Sequence, residues 1–123
     1  VATTVKANLQ LIYVSDIERS TAFYKDLLND EPVMEVPRYV AFGVEGKALF
    51  ALWSGAEAPQ PGAPAYSEIG IMVPTGEDVD RLYAEWQERL DLDVVLEPVT
   101  EVFGRTFMIR DPDGHLIRVS PLD

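Results

Sequence analysis

Leu9-Gln10-Leu11-Ile12-Tyr13-Val14, followed at once by Ser15-Asp16-Ile17-Glu18-Arg19-Ser20, decides how the rest of the chain reads. The first six residues are mostly the aliphatic and aromatic types that fit a pleated surface, which predicts a strand. The next six change to helix-start chemistry: Ser15 or Asp16 is available as an N-cap, and Glu18 lies near the positive end of the helix dipole. Helical spacing then holds over residues 20–28, where Phe23/Leu27 and Tyr24/Leu28 are i, i+4 pairs. Two or three strands follow, the last of them Leu49-Phe50-Ala51-Leu52-Trp53.

The same order recurs in the second half. Glu68-Ile69-Gly70-Ile71-Met72-Val73 reads as a strand, residues 79–90 as a helix and Leu116-Ile117-Arg118-Val119 as a closing strand. This second helix has the clearer period. Val79, Leu82, Tyr83, Trp86 and Leu90 share one face, opposite Glu77, Asp80, Arg81, Glu85 and Glu88. Thr75 or Asp78 is available as its N-cap, and the apolar stripe assigns Trp86 to the core. Glu45-Gly46 and Asp113-Gly114 are turn signals, Phe103-Gly104 marks another bend, and Asp91-Leu92-Asp93 reads as loop.

One domain over residues 1–123 is therefore expected, with module 1 at about 8–54, a linker at 55–66 and module 2 at about 67–122. The linker begins Gly55-Ala56-Glu57-Ala58-Pro59-Gln60-Pro61-Gly62-Ala63-Pro64-Ala65. Its prolines withhold backbone donors and favour extended φ, so it reads as a fairly stiff connector. The predicted class is α+β, built from two βαβββ modules. Each such module makes a curved half-barrel that needs another to close around a cavity, and function is expected inside it.

At 123 residues, 47% apolar and 25% charged, the chain can bury a core without staples. It has no cysteine, which excludes disulfides, thiolate chemistry and cysteine-ligated metal. The net charge of -11 repels nucleic acid and anionic membrane surfaces. Neither a membrane-length apolar run nor a charged-then-apolar leader pattern occurs, so a cytoplasmic location is expected, with no membrane or nucleic-acid partner.

Ser15-Asp16-Ile17-Glu18-Arg19-Ser20 leading to Phe23-Tyr24-Lys25-Asp26-Leu27-Leu28, with Asp111-Pro112-Asp113-Gly114-His115 before the last strand, resembles the glyoxalase/bleomycin-resistance/dioxygenase (vicinal oxygen chelate) superfamily. The resemblance covers nearly the whole chain. Within the superfamily the chain is similar to the branch that binds griseoluteate-type phenazine antibiotics. That likeness is carried by Arg38-Tyr39-Val40-Ala41-Phe42, by residues 48–55 and 67–80, and by Val102-Phe103-Gly104-Arg105-Thr106-Phe107.

The superfamily's enzymes hold a divalent metal at four strand positions, which the resemblance equates here with Leu9, Ala51, Glu68 and Arg118. Leucine and alanine carry no donor atom, and a guanidinium is cationic with no lone pair to give. The single histidine, His115, lies in the DPDGH turn and reads as a turn residue. No metal and no other cofactor is expected. The resemblance also implies that Glu68 and Arg118 sit on neighbouring strands and pair.

Strand alternation then separates the cavity from the back of the sheet. With Leu9 facing the cavity, Leu11 and Tyr13 do too; Ala51 brings Leu49 and Trp53, Glu68 brings Gly70 and Met72, and Arg118 brings Leu116 and Ser120. Trp53 and Tyr13 supply π faces for a flat heteroaromatic, Met72 adapts to its outline, and Gly70 leaves room. Tyr39 and Phe107 are further aromatic candidates on strands whose parity is open. Arg38 and Arg105 flank apolar strands, where they are candidates for a ligand carboxylate.

No triad, thiolate or glycine-rich phosphate cradle appears. The expected function is non-catalytic binding and sequestration of a phenazine-type antibiotic such as griseoluteic acid. The protein is expected to be a homodimer closing two half-barrel cavities, with hand-off to an exporter as an option. A metal-independent enzyme acting on a planar aromatic through Glu68 or a tyrosine is the alternative, and a metal-dependent glyoxalase or dioxygenase a weaker one.

Overall fold

The computed structural model describes residues 2, 4 and 6–122. Its elements run β1 (Leu9–Tyr13), α1 (Ile17–Leu28), β2 (Met34–Val36), β3 (Tyr39–Gly43) and β4 (Leu49–Trp53), then β5 (Glu68–Val73), α2 (Gly76–Arg89), β6 (Asp93–Glu101), β7 (Gly104–Arg110) and β8 (Leu116–Pro121). Two βαβββ runs are thus present, and the chain divides into two compact units, Val1–Ala58 and Pro59–Asp123. Each holds one four-stranded sheet, ordered β1-β4-β3-β2 in the first and β5-β8-β7-β6 in the second. The first strand of each unit pairs parallel with the last, and the remaining pairs are antiparallel. The α+β class follows directly.

Both helices begin earlier than their apolar stripes. Asp16 is the N-cap of α1, its carboxylate accepting from the Arg19 N–H at 3.1 Å. In α2 both nominated residues act together: the Thr75 hydroxyl accepts from the Asp78 N–H, and the Asp78 carboxylate accepts from the Thr75 N–H at 3.1 Å. That reciprocal arrangement satisfies two backbone donors that the helix itself leaves open. Leu90 is the C-cap rather than an interior residue, and Asp93 opens β6 instead of ending a loop. α1 stops at Asn29, which adopts the left-handed conformation at φ 51.

Each helix covers one face of its own sheet. In unit 1, Tyr24 of α1 meets Phe50 edge-on at 5.0 Å, and Phe50 lies 6.5 Å from Phe42. Ile12, Val40 and Leu52 complete that buried layer. In unit 2, Phe107 receives Trp86 at 5.6 Å and Tyr83 at 5.0 Å, both edge-on, with Val79, Ile117 and Val119 also buried. Trp86 is core, as its stripe indicates. The opposite face of each sheet carries no helix of its own unit, and the candidate residues fall there.

Candidate functional site

On the open face of unit 1 the strand register lines up three aromatic residues. Tyr13 of β1 is opposite Trp53 of β4, and Trp53 is opposite Tyr39 of β3. Residues paired across a sheet share a face, and neighbouring strands are about 4.8 Å apart, so the three positions lie side by side in one row across it. The face is identified by its opposite: Ile12, Phe50 and Leu52, of the other parity, are buried towards α1. Tyr39, whose parity the sequence left open, belongs to the row.

The Trp53 indole is half-buried and folded back over Gly55. A Cβ placed on Gly55 would fall 2.0 Å from Cζ2 and 2.5 Å from Cε2 of the ring. No side chain other than hydrogen fits beneath the indole in this position. Tyr13 is 45% exposed, enough to offer a π surface. Beside the aromatic row the register places Ala51 between Leu11 and Ala41, then Leu49 between Leu9 and Gly43. Arg38 is in the two-residue turn between β2 and β3, where its carbonyl accepts from the Ser54 N–H at 3.0 Å.

The open face of unit 2 is organised by an ion pair. Arg118 of β8 donates from Nε to Glu68 Oε2 at 2.9 Å and from Nη2 to Glu68 Oε1 at 3.2 Å. This is the two-toothed geometry in which a guanidinium holds a carboxylate best. Nη1 donates to the Thr106 hydroxyl at 3.2 Å and Nη2 also to Met108 Sδ at 3.0 Å. Thr106 in turn donates to the Val119 carbonyl at 2.8 Å. The hydrogen bond from Arg118 holds the Glu68 carboxyl below its ordinary value against the opposing effect of desolvation, helped by the guanidinium charge. Glu68 is therefore ionised and weakly basic. The Arg118 guanidinium is correspondingly stabilised as a cation by its hydrogen bonds to Glu68, against the opposing effect of desolvation, with the charges of Glu68 and Glu101 helping.

Gly70 is paired with Arg118, and Met72 with Ser120. A Cβ on Gly70 would meet nothing within 4 Å, so this part of the face is open, and Met72 beside it is exposed. Phe107 is not part of this surface. It pairs with Val119, is 0% exposed and packs under α2, which corrects its candidacy as a ligand contact. Arg105 shares that parity and bonds Asp80 of α2 from Nε at 3.0 Å, so it too leaves the site. Thr106 and Met108, not singled out from sequence, take the open face instead. The pairing of Met108 with Arg118 fixes their face, and the sequence alone offered no anchor for parity along β7.

Of the four positions that the resemblance equates with metal ligands, Leu9 and Ala51 offer no donor and Arg118 is committed to Glu68. Among the described residues no group of three or more histidine, cysteine, aspartate or glutamate side chains is placed to hold an ion. His115 is in the β7–β8 turn, where its N–H donates to Asp111 Oδ1 at 2.8 Å and its carbonyl accepts from the Asp111 N–H at 2.9 Å.

Residues 6–119 match the family model described as Glyoxalase/Bleomycin resistance protein/Dioxygenase superfamily. The chain belongs to this superfamily. Among its superfamily relatives, the phenazine antibiotic resistance protein EhpR of Enterobacter agglomerans is 60% identical over 122 residues, 98% of this chain and 95% of that protein. A glyoxalase/bleomycin resistance protein/dioxygenase from Nocardioides superposes with a TM-score of 0.81 at 17% identity, covering 98% of this chain and 85% of that one. Lactoylglutathione lyase from Agrobacterium tumefaciens superposes with a TM-score of 0.77 at 21% identity, covering 98% and 96%. At these identities the two structures establish the superfamily fold alone. No described helix is long and apolar enough to cross a membrane.

Proposed function

We propose that this superfamily member binds a planar phenazine-type antibiotic without transforming it, and so confers resistance by sequestration. The observation that carries the reading is the in-register row Tyr13–Trp53–Tyr39 on an open sheet face. Three adjacent aromatic side chains offer a flat ligand offset and edge contacts along its whole length. The 60% identity to a phenazine antibiotic resistance protein supports the ligand class. Griseoluteic acid is the kind of phenazine we expect.

Three features favour a binder over an enzyme. Two of the four metal positions lack donor atoms, a third is a cation, and the one carboxylate among them is held ionised by Arg118. A carboxylate with a depressed pKa is a poor general base, which weighs against the metal-independent enzyme acting through Glu68. Arg38, exposed at the β2–β3 turn beside Tyr39, is our choice for the ligand's carboxylate. We assign the cover over each open face to a second copy of the chain in a homodimer, since Leu9, Tyr13 and Met72 leave apolar surface exposed there. The working location is the cytoplasm, from which hand-off to an exporter can follow.

Titration with phenazine-1-carboxylic acid tests the reading. Saturable quenching of tryptophan emission, with the ligand recovered unaltered by mass analysis, is the expected result. No saturable change would overturn it, and a changed ligand mass would favour the enzyme. Elemental analysis of freshly isolated protein should find no stoichiometric nickel, zinc, iron or manganese.

A further inference from the structure

The tip of the β6–β7 hairpin carries two apolar residues that no core claims. Glu101 pairs with Gly104, so Val102 and Phe103 alone form the turn. Val102 is fully exposed and Phe103 is 51% exposed. Gly104 closes the turn at φ 121, in the region that side chains rarely adopt, and this lets the strand leave the tip at an angle that β-carbon-bearing residues resist. A phenylalanine ring left half in solvent at a hairpin tip contributes little to folding. Here it has a defined neighbour: the Arg118 guanidinium carbon lies 5.5 Å from the centroid of the Phe103 ring.

The bonding of Arg118 decides what that neighbour can do. Each of its three nitrogens already donates in the guanidinium plane, to Glu68, Thr106 or Met108. Glu68 also neutralises its charge at close range. Four of its five N–H groups are used in this way, so beyond one Nη1 N–H what such a guanidinium has left to offer is its flat face, which stacks on aromatic rings. A ligand acid could take the two-toothed grip of Arg118 only by displacing Glu68, and at the one remaining Nη1 N–H it would meet the neighbouring Glu68 charge, whereas a ligand ring needs neither.

We infer that Phe103 is a ligand-contacting, specificity-determining residue, forming with the face of Arg118 a stacking surface that recognises a fused aromatic ring rather than its acid group. The inference rests on the binding function proposed above and names how unit 2 contributes to it. Selection at this surface is for ring area and flatness. A phenazine acid and its uncharged amide are held equally well there.

The test compares the wild-type chain with Phe103→Ala, Phe103→Leu and Phe103→Tyr, using phenazine-1-carboxylic acid and phenazine-1-carboxamide as probes and thermal melting as a check on folding. Phe103→Ala and Phe103→Leu should raise the Kd for both probes by about tenfold, and Phe103→Tyr should keep it within about twofold of wild type. Melting temperatures should be little changed, because the ring is exposed. Wild-type binding with unaltered affinity in the alanine and leucine variants overturns the inference and leaves the proposed function standing. A loss seen for the acid but not for the amide also overturns it, since it would make the surface a reader of charge. Absence of binding by the wild type overturns both.

Discussion

Gly55 lies directly beneath the indole of Trp53, so close that a single added carbon would stand 2.0 Å from the ring. The backbone at Gly55 is not in the left-handed region, so alanine is conformationally acceptable there and only the steric overlap is altered. Gly55→Ala should push the indole off its seat. Trp86 remains buried, so a change in the wavelength of tryptophan emission reports Trp53. We expect that change together with weaker phenazine binding; identical emission and affinity would place the ring elsewhere.

Trp53 and Phe107 should respond to truncation in opposite ways. Trp53→Ala should weaken phenazine binding by about 1 kcal/mol or more beyond lost contact area, with a small effect on melting. Phe107→Ala removes the ring on which Trp86 and Tyr83 converge and should cost about 3–5 kcal/mol of stability. Denaturant unfolding beside ligand titration separates the two. Equal stability losses would contradict the assignment of the two faces.

Glu68 predicts an acid-side loss of stability. Its folded carboxyl titrates below the ordinary value of 4.5 because Arg118 bonds its charged form. The stabilisation it gives is therefore complete above about pH 4.5 and fades as pH falls through the lower folded value. With the Glu68 side chain 39% exposed, screening limits the effect to about 1 kcal/mol or less. Melting curves of wild type and Glu68→Gln should converge as pH drops below that range; a constant gap would show that the pair does not titrate in this way.

Arg38 should act on the charge of the ligand alone. Arg38→Gln is expected to weaken binding of a phenazine carboxylic acid by about 1 kcal/mol or less, more at low salt than at high, because the site is exposed. The uncharged amide should bind as before. Equal losses for acid and amide would remove Arg38 from the carboxylate role.

The capping box of α2 can be tested without touching the site. Thr75→Ala removes the hydroxyl that accepts from the Asp78 N–H and should cost about 1 kcal/mol in unfolding free energy. Ligand affinity should stay the same. A variant with wild-type stability would show that water replaces the cap.

Much of the architecture is legible in the sequence. The doubled strand–helix–strand order, the caps at Asp16 and Thr75, and the turn glycines Gly46 and Gly114 are local signals, each set by a residue's own backbone preference or by a neighbour three or four positions away. Parity along β1, β4, β5 and β8 was also within reach, since successive side chains of a strand must alternate. Which face is the open one came from the resemblance, which supplied Leu9, Ala51, Glu68 and Arg118 as anchors; alternation then added Tyr13 and Trp53 to it.

Two βαβββ modules and the chemistry they lack can be read from residue order alone: no thiol, one histidine, and no donor atom at Leu9 or Ala51. Which way β7 faces, and with it the exchange of Phe107 for Thr106 and Met108, emerges from the folded arrangement. It also decided that Gly55 seats Trp53 and that Phe103 stacks on Arg118. The physical reason is the same in each case. Periodicity and propensity act within a few residues and leave side-chain placement open, whereas the register of β7 on β8, the seat of an indole and the contact between a hairpin tip and another strand are set by packing in three dimensions.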